Sequence, residues 1–392
     1  MTGQIRIGMA GFGSAGRSFV PAITAHPDFD LVAVAEPMES LHEEIGTVTG
    51  AAVYASVAQM LQHPQLDAVY IATPTALHEE HVLLTVKAKK HVLVEKPMAI
   101  NLARAKVMVD AIEASGVTCV VGHSHGFDLP IRKMREIIES GVLGRVRMVN
   151  MWTYTDWMYR PRRPDELDTK QGGTVTYRQG SHQFDILRVL CGGMAKSVRA
   201  NVFEFGDGNR GIGAHTVFIE FEDGITATAV YNGYGNFQTS DLCFNVTEGG
   251  FDQPTGPSLR AKEKAEEKKS PQSVEDIQRA KQERARNTDR SEAPYQPFFG
   301  ITLVSCEHGD IRQSPEGLLI YQDGDVRQLT LPLGKGPREL VLDEWRDAIA
   351  AGSRPLHNAR WGLANLEICD AAIRSSRAAQ EIPLSYQVPI QK

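Results

Sequence analysis

The chain has 392 residues, more than one ordinary core accommodates, so two domains are expected. Its 42% apolar and 23% charged residues fit a soluble globular protein, and a net charge of −6 gives no general attraction for nucleic acid or an anionic membrane; a small-molecule ligand is expected instead. No apolar run reaches membrane-spanning length and no charged-then-apolar leader follows Met1, which makes the cytoplasm the expected compartment.

Ile5 to Ala10 is strand-like, and Gly11-Phe12-Gly13-Ser14-Ala15-Gly16 follows it without a gap. Phe19, Val20 and Ile23 then recur at helical spacing before His26-Pro27, so the glycines join a strand to a helix N-terminus. A glycine-rich turn of this kind lets the backbone approach a pyrophosphate, which the helix amides and dipole favour. The next strand, Leu31 to Ala35, ends in Glu36, where a carboxylate accepts from a ribose 2′-hydroxyl and repels a 2′-phosphate. NAD is therefore the expected cofactor, in preference to NADP.

The alternation continues with a helix near Val57 to Leu61, a strand at Ala68 to Ala72 closed by Thr73-Pro74, and a helix from Leu77 to Lys87. Val92-Leu93-Val94-Glu95-Lys96-Pro97 is then an apolar run that stops at an acid, a lysine and a proline. Its composition suits a parallel strand buried on both faces, and Pro97 cannot donate to a ladder, so Lys96 is expected at the strand's carboxyl end, where open α/β sheets bind ligands. A helix near Leu102 to Ala114 and a strand at Val117 to Val121 complete a six-stranded sheet of Rossmann type. The boundary is expected between His123 and Phe127, giving residues 1–126 to the dinucleotide-binding domain and 127–392 to a substrate-binding and oligomerisation domain.

Beyond Phe127 a helix around Ile131 to Ile138, stopped by Gly141, leads into strands at Val146 to Trp152, Val198 to Phe205, Val217 to Phe221 and Ile225 to Tyr231, an open, largely antiparallel sheet of an α+β domain. Between them, Gly172-Gly173 precedes Tyr177-Arg178-Gln179-Gly180-Ser181-His182 and an amphipathic helix with Phe184, Leu187 and Leu190. His182 falls in that helix's first turn, where the positive helix end disfavours imidazolium and Asp185 shares its face. The segment from about 258 to 294 is charged, poor in large apolar residues and of mixed sign, and reads as a solvated insertion, with Tyr295, Phe298 and Phe299 marking re-entry into folded structure. A long helix begins near Leu340 and another spans Leu363 to Ala378.

His78 and His81, and His123 and His125, are paired at helix and strand spacing, but no third ligand converges with either pair, so no metal site is expected. Cys119, Cys191, Cys243, Cys306 and Cys369 are scattered and read as reduced structural thiols.

In order along the chain, the Gly11 to Gly16 loop, Thr73-Pro74 with His78, Glu95-Lys96-Pro97, and a glycine pair followed by Gly180-x-His182 resemble the glucose-fructose oxidoreductase, inositol dehydrogenase and MocA (Gfo/Idh/MocA) family over nearly the whole length. The resemblance implies a Rossmann domain, a second α+β domain whose open sheet forms a homo-oligomer (dimer or tetramer), and a cofactor site that includes Thr73, Pro74, His78, Glu95 and Lys96. It further implies that Lys96 and His182 handle the substrate's proton. Sugar-handling members usually carry an aspartate four residues before the histidine, where this chain has Arg178. The chain is also similar to the phthalate cis-4,5-dihydrodiol dehydrogenases, which share the charged insertion, Phe298-Phe299-Gly300 and the stretch Ser305 to Pro315. An arginine fork matches a carboxylate, and Tyr177, Trp157, Tyr159 and Arg160, with Arg162 and Arg163, could add charge and an aromatic wall. The expected substrate is thus a small anionic diol derived from an aromatic ring, oxidised in aromatic degradation. Sugar or inositol oxidation is the alternative among enzymes, and a non-catalytic NAD-binding regulator the alternative of another class; retention of both Lys96 and His182 favours an enzyme.

Overall fold

The computed structural model describes residues 3–205, 211–253, 255–256, 273, 276–277, 279–281, 283 and 292–390, so most of the charged insertion expected over 258–294 lies outside the described residues. The described residues form two compact units, one of the chain up to His123 with Lys335–Leu366 added to it, the other built mainly from Ser124 to Gly334 and from Glu367 onward.

The first unit alternates β1 (Ile5–Ala10), α1 (Ser14–Ala25), β2 (Phe29–Ala35), α2 (His42–Thr49), β3 (Ala52–Tyr54), α3 (Val57–Met60), β4 (Ala68–Ile71), α4 (His78–Lys87), β5 (His91–Val94), α5 (Leu102–Ser115) and β6 (Cys119–Val121). All neighbours pair in parallel in the order β3-β2-β1-β4-β5-β6, so the order reverses between β1 and β4, the edge at which such sheets bind ligands. β4 is buried throughout and β5 from Val92 to Val94, as continuous apolar runs covered on both faces must be. β3 and α2 carry no strong periodicity; the sequence places five strands of the expected six, and the short edge strand β3 is the sixth.

The second unit contains α6 (Leu129–Ser140), β7 (Val146–Tyr154), α7 (Pro164–Leu167), α8 (Thr174–Arg178), α9 (Gly180–Cys191), β8 (Ala195–Phe203), β9 (Ala214–Phe221), β10 (Thr226–Asn232), β11 (Ile301–Cys306), β12 (Gly309–Ser314), β13 (Gly317–Gln322) and β14 (Asp325–Thr330). After α10 (Pro337–Ala351) and α11 (Ala359–Ala378), β15 (Ile382–Pro383) completes a nine-stranded sheet, β14-β13-β12-β11-β7-β10-β9-β8-β15. β7 and β10 run parallel and the other neighbours antiparallel. One face is buried where α9 packs on β7 and β10. On the opposite face Met148, Trp152 and Phe218 are exposed, with Trp152 opposite Val230 on one side and Ile301 on the other.

The first unit ends at His123, and it takes in Lys335–Leu366, whereas the sequence reading put everything after 126 in the second domain. The physical reason is side-chain burial. Trp345 of α10 stacks on Phe29 at 5.8 Å, His26 Nε2 is 3.2 Å from Asp343 Oδ1, and the Val121 N–H donates to His357 O at 2.7 Å. Position in sequence carries none of this, because the partners lie hundreds of residues apart.

Candidate active site

The glycine loop leaves β1 and crosses the end of β4. Gly11 has φ +91°, and a Cβ there would sit 3.0 Å from Ala72 O, so both conformation and space demand glycine. A Cβ on Gly16 would sit 2.3 Å from Gly11 O, whereas one on Gly13 would meet nothing within 4 Å. Gly13 and Ser14 are exposed, Ala15 is half-buried, and no side chain caps α1, which leaves its first amides the chemistry that suits a phosphate. Glu36 is buried against this loop. The Phe12 N–H donates to its Oε2 (3.0 Å) and the Met38 N–H to its Oε1 (3.1 Å). Arg17 lies over the Phe12 ring at 4.3 Å, but its fork is matched by Glu44 at 2.6 and 3.0 Å. These residues fit a dinucleotide whose phosphates meet the amides and whose ribose meets the carboxylate.

Two turns at the carboxyl ends of β4 and β5 are tied together. His78 Nε2 is 2.9 Å from Thr73 O, and its Nδ1 is 3.2 Å from both Pro97 O and Met98 O. His78 is fully buried, so it acts as a strut between the Thr73-Pro74 and Lys96-Pro97 turns rather than as part of an open binding surface. His81 Nδ1 is 3.0 Å from Thr73 Oγ1, and burial pushes its pKa down. Glu95 accepts from the Tyr70 hydroxyl (Oε1, 2.8 Å) and from the Lys96 N–H (Oε2, 3.2 Å); burial, and then the Glu95 charge, push the Tyr70 phenol well up. Lys96 is half-buried and joined to Pro97 by a cis peptide.

In the second unit His182 is buried as the third residue of α9. Its ring lies edge-on to His125 at 4.7 Å and to Phe299 at 5.1 Å, and His125 stacks on Phe299 at 4.3 Å. The expectation of an open helix N-terminus under His182 does not hold. α8 runs into α9 with Gln179 alone between them, in αR conformation, and Gln179 O accepts from the His182 N–H at 3.0 Å. A preceding helical turn supplies the partners that a free terminus lacks, so the terminal dipole loses its force there. Asp185 is fully buried and its charge raises the proton affinity of Arg188, whose pKa burial nonetheless lowers to about 9.

Next to His182, Gln183 anchors α9 to the sheet. Its amide donates to Thr153 Oγ1 (3.1 Å) and Val230 O (3.0 Å), while its Oε1 faces His215 Nε2 at 2.9 Å. His215 Nδ1 meets Thr176 Oγ1 at 3.2 Å, and burial lowers its pKa to about 3, so the ring is neutral.

The candidate substrate residues divide. Arg178 is largely buried, with Nη2 3.8 Å from Glu166 Oε1. Arg160 contacts Asp156 (3.1 Å), and Arg163 is held bidentately by Asp165 (2.9 and 3.0 Å). Arg162 lies over the Trp157 ring at 3.8 Å. Trp157 is buried and Tyr159 lies edge-on to Tyr234 at 6.3 Å. Tyr177 departs from the expected wall: it is buried, and burial followed by the charge of Asp370 raises its pKa. The sequence reading missed Glu166, Phe299 as a ring partner, and Asp128, whose Oδ2 is 3.1 Å from His125 Nδ1. The His-x-x-Asp spacing from His125 to Asp128 was the available signal. Among the described residues no group of three or more His, Cys, Asp or Glu could hold a metal, and no helix is long and apolar enough to cross a membrane.

Residues 5–123 match the family model described as an oxidoreductase family with an NAD-binding Rossmann fold, and residues 131–251 match the Gfo/Idh/MocA C-terminal domain. The 1-carboxy-3-chloro-3,4-dihydroxycyclohexa-1,5-diene dehydrogenase of Comamonas testosteroni is 32% identical over 379 residues, 95% of each chain. A solved structure of a dehydrogenase-like protein from Bordetella bronchiseptica RB50 is 37% identical, with a TM-score of 0.90 over 97% of this chain and 100% of that one. Myo-inositol 2-dehydrogenase of Thermotoga maritima is 28% identical over 199 residues, 50% of this chain and 58% of its own. With both domain models matched in order and relatives aligned end to end, the chain belongs to the Gfo/Idh/MocA family of oxidoreductases.

Proposed function

We propose that the protein oxidises a carboxylated cis-dihydrodiol with NAD⁺, and that its substrate is the cis-4,5-dihydrodiol of phthalate, converted to 4,5-dihydroxyphthalate. The observation that carries this reading is the relative named for a carboxylated dihydroxycyclohexadiene, which aligns over 95% of both chains. Arg178, four residues before His182 and only 16% exposed, supports it as a cation suited to a substrate carboxylate. When bound, NAD⁺ accepts the hydride. Glu36 holds the ribose hydroxyls and disfavours a 2′-phosphate, and the α1 amides hold the pyrophosphate. Lys96 stabilises the alkoxide that develops at the substrate hydroxyl, and His182 takes the proton; lysine would first have to lose its charge to act as the base. Glu95 and His78 position the Lys96 turn. The exposed face of the nine-stranded sheet supports a homo-oligomer, and the cytoplasm is the proposed compartment. The test is NADH formation from the phthalate cis-diol, the uncharged benzene cis-diol and myo-inositol. Preference for the charged diol supports the assignment; preference for inositol removes the substrate and leaves the family intact.

A further inference from the structure

Two imidazoles meet in the second unit, and the proposed proton acceptor is only one of them. The rings of His125 and His182 lie at 78° to one another with centroids 4.7 Å apart, and both rest on Phe299. His125 Nδ1 is 3.1 Å from Oδ2 of the buried Asp128. An ionised carboxylate only accepts, so in the neutral ring this bond assigns the proton to Nδ1 and leaves the lone pair on Nε2. Among the described residues Nε2 has no hydrogen-bond partner, and the side chain is 16% exposed. His215, in the same unit, differs in having both ring nitrogens engaged. His125 is thus an oriented base with its basic nitrogen open, in contact with His182.

Sugar or inositol oxidation ends at a carbonyl group, a lactone or a ketone, and needs one base. A cis-dihydrodiol needs more. Hydride loss from one carbinol carbon, with loss of its hydroxyl proton, leaves a hydroxydienone that is not aromatic. The neighbouring carbinol C–H bond must then break; its electron pair forms the ring double bond, the carbonyl π pair moves to oxygen, and that oxygen is protonated. A proton must leave carbon and one must reach oxygen, and two adjacent groups can do both together. We infer that His125, oriented by Asp128, takes the carbon-bound proton through Nε2 while His182 returns the proton it received from the hydroxyl, so that the protein catalyses aromatisation as well as oxidation; this rests on the dihydrodiol reading above. The balance closes, with the hydride on the dinucleotide and one proton on His125, which passes it to water.

The test is stopped-flow mixing of parent, His125→Asn and Asp128→Asn with the phthalate cis-diol and NAD⁺, recording the NADH and catechol bands together. General acid–base groups contribute typically ~10²–10⁴-fold, so in His125→Asn catechol formation slows at least about tenfold more than NADH formation, and a transient separates the two bands. Asp128→Asn shows the same split to a lesser degree and stands in where His125→Asn does not fold. Bands that keep their parental ratio in the folded variants overturn the role of His125. A parent that makes no NADH from the diol overturns the substrate reading instead, so the two failures are distinguishable.

Discussion

Replacing Arg178 by alanine is the sharpest probe of the proposed substrate. Its guanidinium is 3.8 Å from the Glu166 carboxylate, and both side chains are largely buried. At an effective dielectric of about 20, unit charges at that separation attract by roughly 4 kcal/mol. A substrate carboxylate at similar range gains a comparable amount, offset in part by repulsion from Glu166. Truncating one partner of such a pair costs roughly 2–5 kcal/mol, which at about 1.4 kcal/mol per decade is some thirty-fold to a few thousand-fold in kcat/KM. The loss should fall on the phthalate diol and spare the benzene diol. Arg178→Ala also leaves Glu166 without that cation, although its Oε2 keeps the Arg163 N–H at 2.8 Å. The double variant Arg178→Met with Glu166→Gln removes both charges, and thermal unfolding of each variant separates loss of fold from loss of recognition. If Arg178→Ala lowers kcat/KM equally for charged and uncharged diols, Arg178 does not read the carboxylate.

Glu36→Gln keeps the shape of the side chain and removes its charge, so the parent's preference for NAD over NADP should narrow by roughly 1–3 kcal/mol in kcat/KM; a parent that uses NADP equally well refutes the cofactor assignment. Lys96→Ala and His182→Ala should each depress kcat by ~10²–10⁴-fold while NADH binding, followed by fluorescence, survives, and near-parental turnover removes that residue from the chemistry. His215 titrates near 3 in the folded protein and near 6.5 in a free chain. Its contribution to stability is therefore fully present above about pH 6.5 and is lost as pH falls toward 3, at up to ~1.4 kcal/mol per pH unit. Denaturant titrations across that range should show a shallower acid slope in His215→Gln, and an unchanged slope would place the acid sensitivity elsewhere. Trp152→Glu puts a charge at the centre of the exposed sheet face, so sedimentation should show dissociation; a parent that is already monomeric refutes an interface there.

Local patterns in the sequence determined most of the first unit. The Gly11 to Gly16 loop is legible because its constraints are local: a positive φ, a close approach to the next strand, and a helix start within six residues. Glu36, Glu95-Lys96-Pro97 and His182 are legible for the same reason, each lying at the end of a strand or the start of a helix marked by its own periodicity. Strands β12 and β14 escaped because short, half-exposed strands carry little apolar alternation, and α8 escaped because five residues make too few turns to show a period. What only tertiary structure decided are the pairings across sequence. Trp345 finds Phe29 and so draws α10 into the first unit, Glu166 finds Arg178, and Phe299 returns from beyond the charged insertion to lie under His125 and His182. Burial energy depends on which surfaces meet and not on how far apart they lie along the chain, so periodicity can say that Phe299 is inside but cannot say against what.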